Sequence, residues 1–393
     1  MKKIWLIIII GLLFRIAIIP FTIHPDVRGH YLGAYFISNK NSLLSVYDYI
    51  SNLPRTDKIV QLYNDNFLVY SPLTYIFHAS FLKILSPLIP WPLFDQLEID
   101  IGAAVKNSQM PYLLSLLKFP YLVADTLCLW FFLKLVEEKH RLKAAILWCV
   151  NLPLIHSAFM MGQFDIFIIL FTTIGLLFAK NGQTGRAAIS FAVAAGFKPF
   201  PLFFIPFLPG SKVKNLVLGA IAYLLIILPY LPSPGFRMYA LMAQHSDKMW
   251  YAKIMVSGSQ YLPIFAVLLF GLFWWNYRKP KDLPFWGWPM AVLLGFYSVT
   301  HFHPQWFSWI SPFLILTLIY FKKSTLPIIT LVLCYLAITL SFENSLNFGL
   351  FGIALWLPDL IRKFVEPDFL VSIVRGLLAS TSYFIIKDVS SHD

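Results

Sequence analysis

The chain predicts an all-α fold: a polytopic bundle of about 11–13 membrane helices, with one large, partly helical outer loop after the first span. Three observations predict it. Of 393 residues, 58% are apolar and 13% charged, against about 45–50% and about 25% in soluble domains. Apolar runs near the ~20 residues that cross a bilayer recur along the chain. The net charge of +12 sits in short Lys/Arg clusters between those runs, which in a membrane protein signals orientation and implies no nucleic-acid partner. A single membrane domain over residues 1–393 follows.

Lys2 and Lys3 precede an Ile/Leu run that ends near residue 21 without a small-x-small cleavage pattern, so it reads as an uncleaved span with a cytoplasmic N-terminus. Residues 22–111 form the outer loop, rich in Pro, Asn and Asp. Within it, Phe67–Pro90 is apolar but interrupted by Pro72, His78, Lys83 and Pro87, and an interfacial or re-entrant helix is expected. Further spans are expected at 112–136, 143–160, 164–180, 213–231, 258–277, 284–302, 306–321, 325–341 and 347–361. Gly196, Pro199, Pro201 and Pro206 should break 187–208 into a re-entrant hairpin of half-helices. Residues 367–387 fit a last span or a surface helix. Cys128, Cys149 and Cys334 lie inside apolar runs and read as buried free thiols.

With the N-terminus inside and Phe67–Pro90 not crossing, the inner side receives Lys139/Arg141/Lys143, Lys180/Arg186, Lys212/Lys214, Arg278/Lys279/Lys281, Lys322/Lys323 and Arg362/Lys363. The outer turns 161–163, 301–306 and 341–347 receive none, as the positive-inside rule asks.

Polar groups that lipid penalises collect at the outer span ends, where such groups mark sites more often than packing accidents. After the first span, Asp26 lies among His24, Arg28 and His30; it suits a general base toward a hydroxyl, or a headgroup-level ion pair with Arg28. In Gly162-Gln163-Phe164-Asp165, Gln163 and Asp165 can bind sugar hydroxyls, and Asp165 also fits an ordinary helix cap. In His301-Phe302-His303-Pro304-Gln305-Trp306, an imidazolium can hold a phosphate, while Trp306 and Trp309 suit a sugar platform or an interface belt. Two His at i, i+2 before a Pro make poor metal ligands. Lys198, at the hairpin break, lines a polar cavity or snorkels to the cytoplasm. Arg15 in the first span likewise snorkels or faces an anionic headgroup. Glu98-Ile99-Asp100 is a weak pair for a divalent cation, and no phosphate-cradling Gly-rich loop, His-Glu-x-x-His or nucleophile elbow occurs.

In order, Asp26 with His30, Tyr70-Ser71-Pro72-Leu73-Thr74-Tyr75, Ala124-Asp125, Gly162-Gln163-Phe164-Asp165, Lys198-Pro199, and His303-Pro304-Gln305 with Pro312 resemble the GT-C superfamily of membrane glycosyltransferases. The resemblance is to dolichyl-phosphate-glucose- or mannose-dependent enzymes and their bacterial and archaeal polyprenyl-phosphate-sugar relatives. It implies transfer of one hexose, mannose or glucose, from a polyprenyl-phosphate donor to a hydroxyl of a glycan, lipid or protein acceptor. The transfer would invert the anomeric centre on the outer or lumenal side, without a nucleotide-sugar or a required cofactor, a divalent cation remaining open. The membrane is then the plasma membrane in a prokaryote or the endoplasmic reticulum in a eukaryote, with membrane lipids as further partners.

Carried over by motif, Asp26 takes the general base's position and His303 stands near the donor phosphate, with His301 beside it. His30, Tyr70, Gln163, Asp165, Gln305 and Trp306 fall to the sugar or acceptor. Eukaryotic relatives often show His-Glu-Lys where this chain has His303-Pro304-Gln305, so a cation near the leaving group is missing. Arg15, Arg28 or Lys198 is the expected replacement. The rival reading is a lipid-linked-sugar flippase or transporter, which broken helices also suit; the acidic outer loop and one-sided polar groups weigh against it.

Overall fold

A backbone in lipid must satisfy its own N–H and C=O groups, and long apolar runs therefore close into helices. The computed structural model describes residues 2–63, 68–341, 363 and 366–390, and they are mostly helical. We label the principal helices α1 (Lys2–Ile18), α2 (Asp26–Lys40), α3 (Pro72–Leu85), α4 (Trp91–Ile99), α5 (Met110–Leu135), α6 (Arg141–Cys149) and α7 (Asp165–Lys180). They continue with α8 (Thr184–Ala195), α9 (Lys212–Ile227), α10 (Ile264–Arg278), α11 (Gly287–Val299), α12 (Ser311–Tyr320), α13 (Thr325–Ser341) and α14 (Pro367–Ser390).

Among the described residues, five helical stretches are long and apolar enough to cross a membrane: Lys2–Phe21, Met110–Leu135, Lys212–Tyr230, Lys322–Ser341 and Pro367–Ser390. The pair Glu138–Cys149 and Leu152–Met161, bent by 47°, brings the number to six if it counts as one span. Other expected spans are shorter helices. α7 has 16 residues and α11 has 13, and Pro304 and Pro312 divide 306–321 into a 3-10 stretch, Pro304–Ile310, and the 10-residue α12. The expected span 347–361 lies outside the described residues.

One departure from an all-α fold runs up to and into the expected span 258–277. β1 (Lys253–Ser257), just before it, and β2 (Gln260–Pro263), at its start, pair antiparallel, Ile254 opposite Leu262 and Met255 opposite Tyr261. Gly258 turns between them at φ +49°, and the β-prone Ile254, Val256 and Tyr261 favour strands there.

The basic clusters gather at one end of the bundle. Lys143 donates to the Leu318 carbonyl, Lys180 to those of Lys134 and Leu135 at 3.2 and 2.8 Å, and Trp286 packs on Phe321. α14 resolves as a lengthwise helix antiparallel to α13: Arg375, near its start, donates to Thr300 O at 2.7 Å, and Asp388, near its end, accepts from Ser324 Oγ at 3.0 Å. Lys363, grouped with Lys322 by the charge rule, precedes the start of α14 at the opposite end.

α2 and α3 pack closely because Gly33 has no side chain; a Cβ there would lie 2.4 Å from the Tyr75 ring. Val27, Tyr31, Leu82, Phe94 and Leu117 share the core that joins α2, α3, α4 and the start of α5. At 14 residues, α3 is shorter than the ~20 a span needs. It is tied to the segment after α8 through Leu73 N–H to Gly196 O (3.0 Å) and Thr74 Oγ1 to Phe197 O (3.3 Å). Past that turn, Pro199, Pro201 and Pro206 hold Phe200–Phe207 as a 3-10 stretch packed on α8. The turn carries Lys198 to the end of the bundle opposite the basic clusters.

Candidate active site

Ile155–Met161 winds as a π-helix, a wider turn frequent at functional sites. Gly162 closes it in the left-handed region at φ +76°, and Gln163 N–H bonds back to Ser157 O at 2.9 Å. A Cβ at Gly162 would lie 2.9 Å from Val27 Cγ2, so glycine lets this turn reach the start of α2. There Gln163, almost wholly buried, donates from Nε2 to Asp26 Oδ2 at 3.1 Å. His24 Nδ1 accepts the Asp26 backbone N–H at 3.1 Å and stands 3.5 Å from Oδ2. The Asp26 side chain keeps 36% of its exposure: a carboxylate oriented from one side and open on the other.

Asp165, two residues beyond Gln163, is fully buried and makes no helix cap. Its Oδ1 accepts from Lys198 Nζ at 2.7 Å and Trp309 Nε1 at 2.6 Å, while Oδ2 has no hydrogen-bond partner among the described residues. Lys198 sits among four rings, with Nζ 4.6 Å from the centroid of Phe164, 5.4 Å from Trp309 and 5.8 Å from Tyr70 and Trp306. Trp306 stacks on Trp309 at 5.4 Å and Trp309 on Phe200 at 3.8 Å. The result is an aromatic wall around a neutralised ion pair.

His303 lies against Trp306 at 5.3 Å, and His301 5.9 Å from His303. Both imidazoles are held toward their neutral form. Burial first, then the neighbouring Lys248, pushes His303 down to about 3 and His301 to about 4, so both rings are neutral near pH 7. An ammonium has only protons to offer, so Lys248 Nζ donates to His303 Nε2. Lys248, from the loop after α9, is thus the cation at this corner, with Arg375 on Phe302 beyond it. Sequence reasoning passed over Lys248. Its available signal was a base on the side of the membrane that the charge rule keeps poor in bases.

The other candidates divide. Tyr70 packs its ring on His30 at 5.1 Å and on Phe164 at 4.8 Å, and burial, then Asp26, Tyr75 and Asp165, push its hydroxyl pKa up. His30 is fully buried between Tyr70 (5.1 Å), Phe164 (4.7 Å) and His78 (5.5 Å), and neither ring nitrogen has a hydrogen-bond partner among the described residues. Gln305 is buried with Oε1 likewise unpartnered. Arg15 is not brought to the site: its Nε is 2.7 Å from Asp125 Oδ2, and its terminal nitrogens bond to the Gly11, Trp148 and Cys149 carbonyls. Trp148 Nε1 closes that cluster on Asp125 Oδ1 at 2.8 Å. Arg28 lies instead over the Tyr63 ring, 5.6 Å from its centroid.

Glu98 and Asp100 do not assemble as a cation site. Burial pushes the Glu98 carboxyl up, while Asp100 is exposed and accepts Ala103 N–H at 3.0 Å. Among the described residues, no group of three or more His, Cys, Asp or Glu could hold a metal ion.

Residues 108–306, about half of the chain, match the model of glycosyltransferase family 87. The chain belongs to that family. Family 87 is a GT-C family of membrane glycosyltransferases dependent on polyprenyl-phosphate sugars, which displaces the transporter reading. No curated protein and no solved structure matches the chain. The family 87 match contains Gly162, Gln163, Asp165, Lys198, Lys248 and His303, whereas Asp26, His30, Tyr70 and Trp309 come from flanking segments.

Two expected results follow for this family 87 enzyme. Gly162→Ala brings a side chain into Val27 and strains a positive φ, so Gln163 leaves Asp26 and transfer falls about 10- to 100-fold, measured as initial rate per folded protein. Because the folded pKa of His303 is depressed far below its usual 6.5, the ring stays neutral from pH 8 to pH 5. The pH profile of kcat/KM, which reports free-enzyme groups, should therefore keep its shape over that range in His303→Gln. A limb near pH 6.5 that vanished in the variant would contradict this.

Proposed function

We propose that the chain transfers one hexose, mannose or glucose, from a polyprenyl-phosphate donor to an acceptor hydroxyl on a glycan, lipid or protein, with inversion. The observation that carries the reading is the half-open Asp26 carboxylate, held by Gln163 beside the Lys198 aromatic wall and the Lys248–His303 pair. Asp26 takes the acceptor hydroxyl proton as that oxygen bonds to C1 of the sugar. The C1–O bond to phosphate breaks, and its electron pair leaves with the polyprenyl phosphate. Charge then grows at two ends of the site, positive at C1 and negative on phosphate, and a fixed cation at the second end lowers the barrier.

Lys248 suits that cation better than Lys198, whose charge is already matched by Asp165. Lys198 instead frames Trp306 and Trp309, flat surfaces against which a sugar ring can lie. A site at the end of a membrane bundle lets the prenyl chain stay in hydrocarbon while the headgroup reaches the carboxylate. The basic clusters at the opposite end support a cytoplasmic N-terminus and an outer or lumenal site. The membrane is the plasma membrane in a prokaryote or the endoplasmic reticulum in a eukaryote.

The test is purified protein with radiolabelled polyprenyl-phosphate-mannose and polyprenyl-phosphate-glucose, with the product anomer assigned by NMR. Transfer from one donor with the opposite anomeric configuration is expected. No transfer from either donor, or retained configuration, overturns the proposal.

A further inference from the structure

We propose that Lys118 is a positioning residue that sets the Asp26–Gln163 contact through the backbone, an inference that rests on the reading of Asp26 as the base. Lys118 lies about a third of the way along α5 and is fully buried. Among the described residues it has no carboxylate within ion-pair distance. Its ammonium instead meets five oxygens: Ile19 O at 3.1 Å, Thr22 O, Thr22 Oγ1 at 3.3 Å, Phe159 O at 2.8 Å and Met160 O at 3.2 Å.

These oxygens belong to two chain exits. Ile19 to Thr22 end the first membrane stretch, four residues before Asp26. Phe159 and Met160 lie in the last turn of the π-helix, three residues before Gln163. Carbonyls at such ends lack the N–H groups of a following turn and carry the negative pole of the helix. One ammonium, its three N–H groups shared among these oxygens, reaches both sets and links them to each other. Two direct contacts continue the seam toward the site: Thr22 Oγ1 to Phe159 O at 3.3 Å and His24 N–H to Met161 O at 3.2 Å. Lys118 also packs behind Gly162, where a Cβ would come within 3.1 Å of its Cε. Removing the ammonium takes the Lys118 contact from the Ile19, Thr22 and Met160 carbonyls and leaves Phe159 O only the Thr22 hydroxyl, and the base and its amide partner lose a shared anchor.

The full-length protein carries the test as Lys118→Met, which keeps the hydrocarbon stem without the N–H groups, beside Gln163→Ala and the double variant. Hydrogen exchange of peptides covering 19–27 and 157–165 should quicken in both segments together, with the rest of the bundle unchanged. Using whichever polyprenyl-phosphate-mannose or -glucose donor the wild type accepts, kcat should fall about 10- to 100-fold with donor KM within about threefold. The double variant should be no slower than the slower single. Unchanged exchange in the two segments overturns the proposal, as does quickened exchange throughout with a rate loss that only tracks unfolded protein. If wild type uses neither donor, the functional reading fails, and the exchange experiment alone decides the clamp. If Lys118→Met does not fold, Lys118→Gln, with fewer N–H groups, is held to the same outcomes.

Discussion

Asp26→Asn should reduce hexose transfer by about 10²–10⁴-fold, the usual contribution of a general base, while leaving the fold and donor binding intact. The substitution keeps size and planarity, and the Asn carbonyl can still accept the Gln163 N–H now 3.1 Å from Oδ2. What is lost is the capacity to take a proton from the acceptor. Because that capacity matters only as the proton moves, kcat and kcat/KM should fall together. Initial rates with labelled donor measure the first, and donor-dependent quenching of tryptophan fluorescence, with Trp306 and Trp309 in the site wall, reports binding. Full activity in Asp26→Asn would remove the residue from the role of base.

Lys198→Met should show the largest loss of stability. Asp165 is wholly buried, and removing Lys198 leaves it Trp309 as its remaining donor. Breaking a buried pair from one side costs about 3–5 kcal/mol, because the other charge remains unmatched. The readout is a lowered Tm of the purified protein in detergent, and Asp165→Asn added to Lys198→Met should recover most of it. A single variant as stable as wild type would mean that water relieves the carboxylate. The two expected results together would separate the carboxylates by rate for Asp26 and by stability for Asp165.

Much of this arrangement was legible in the linear chain, for reasons specific to membranes. Lipid penalises Gln163, Asp165, Lys198 and Gln305 at span ends, so their presence there stood out against long apolar runs. The prolines at 199, 201 and 206 marked the break that puts Lys198 at a turn. Hydropathy carries no information, however, about which side chains meet across the bundle. Arg15 was equally free to snorkel or to face a headgroup until Asp125 was found 2.7 Å away. The exchange of His303 for Lys248 as the local cation depends on burial and on a loop contact between residues 55 apart. The π-helix before Gly162 is equally silent, since Ile155–Met161 sits inside a run that reads as one apolar span.

The Arg15–Asp125 pair also bears on how the protein is made. Its members are separated by 110 residues, the difference between the two positions. At about 5–20 residues per second, the ribosome needs about 5–20 s to deliver the carboxylate after the guanidinium. Throughout that interval the first helix carries an uncompensated charge in its last turn, where the cost falls below the about 2.5–3.5 kcal/mol of a helix centre. Until the carboxylate arrives, the guanidinium can rise to the headgroup layer from the helix end that carries it. Its final depth is set when α5 arrives, which makes early membrane assembly a sequence of provisional placements rather than a one-by-one addition of finished helices.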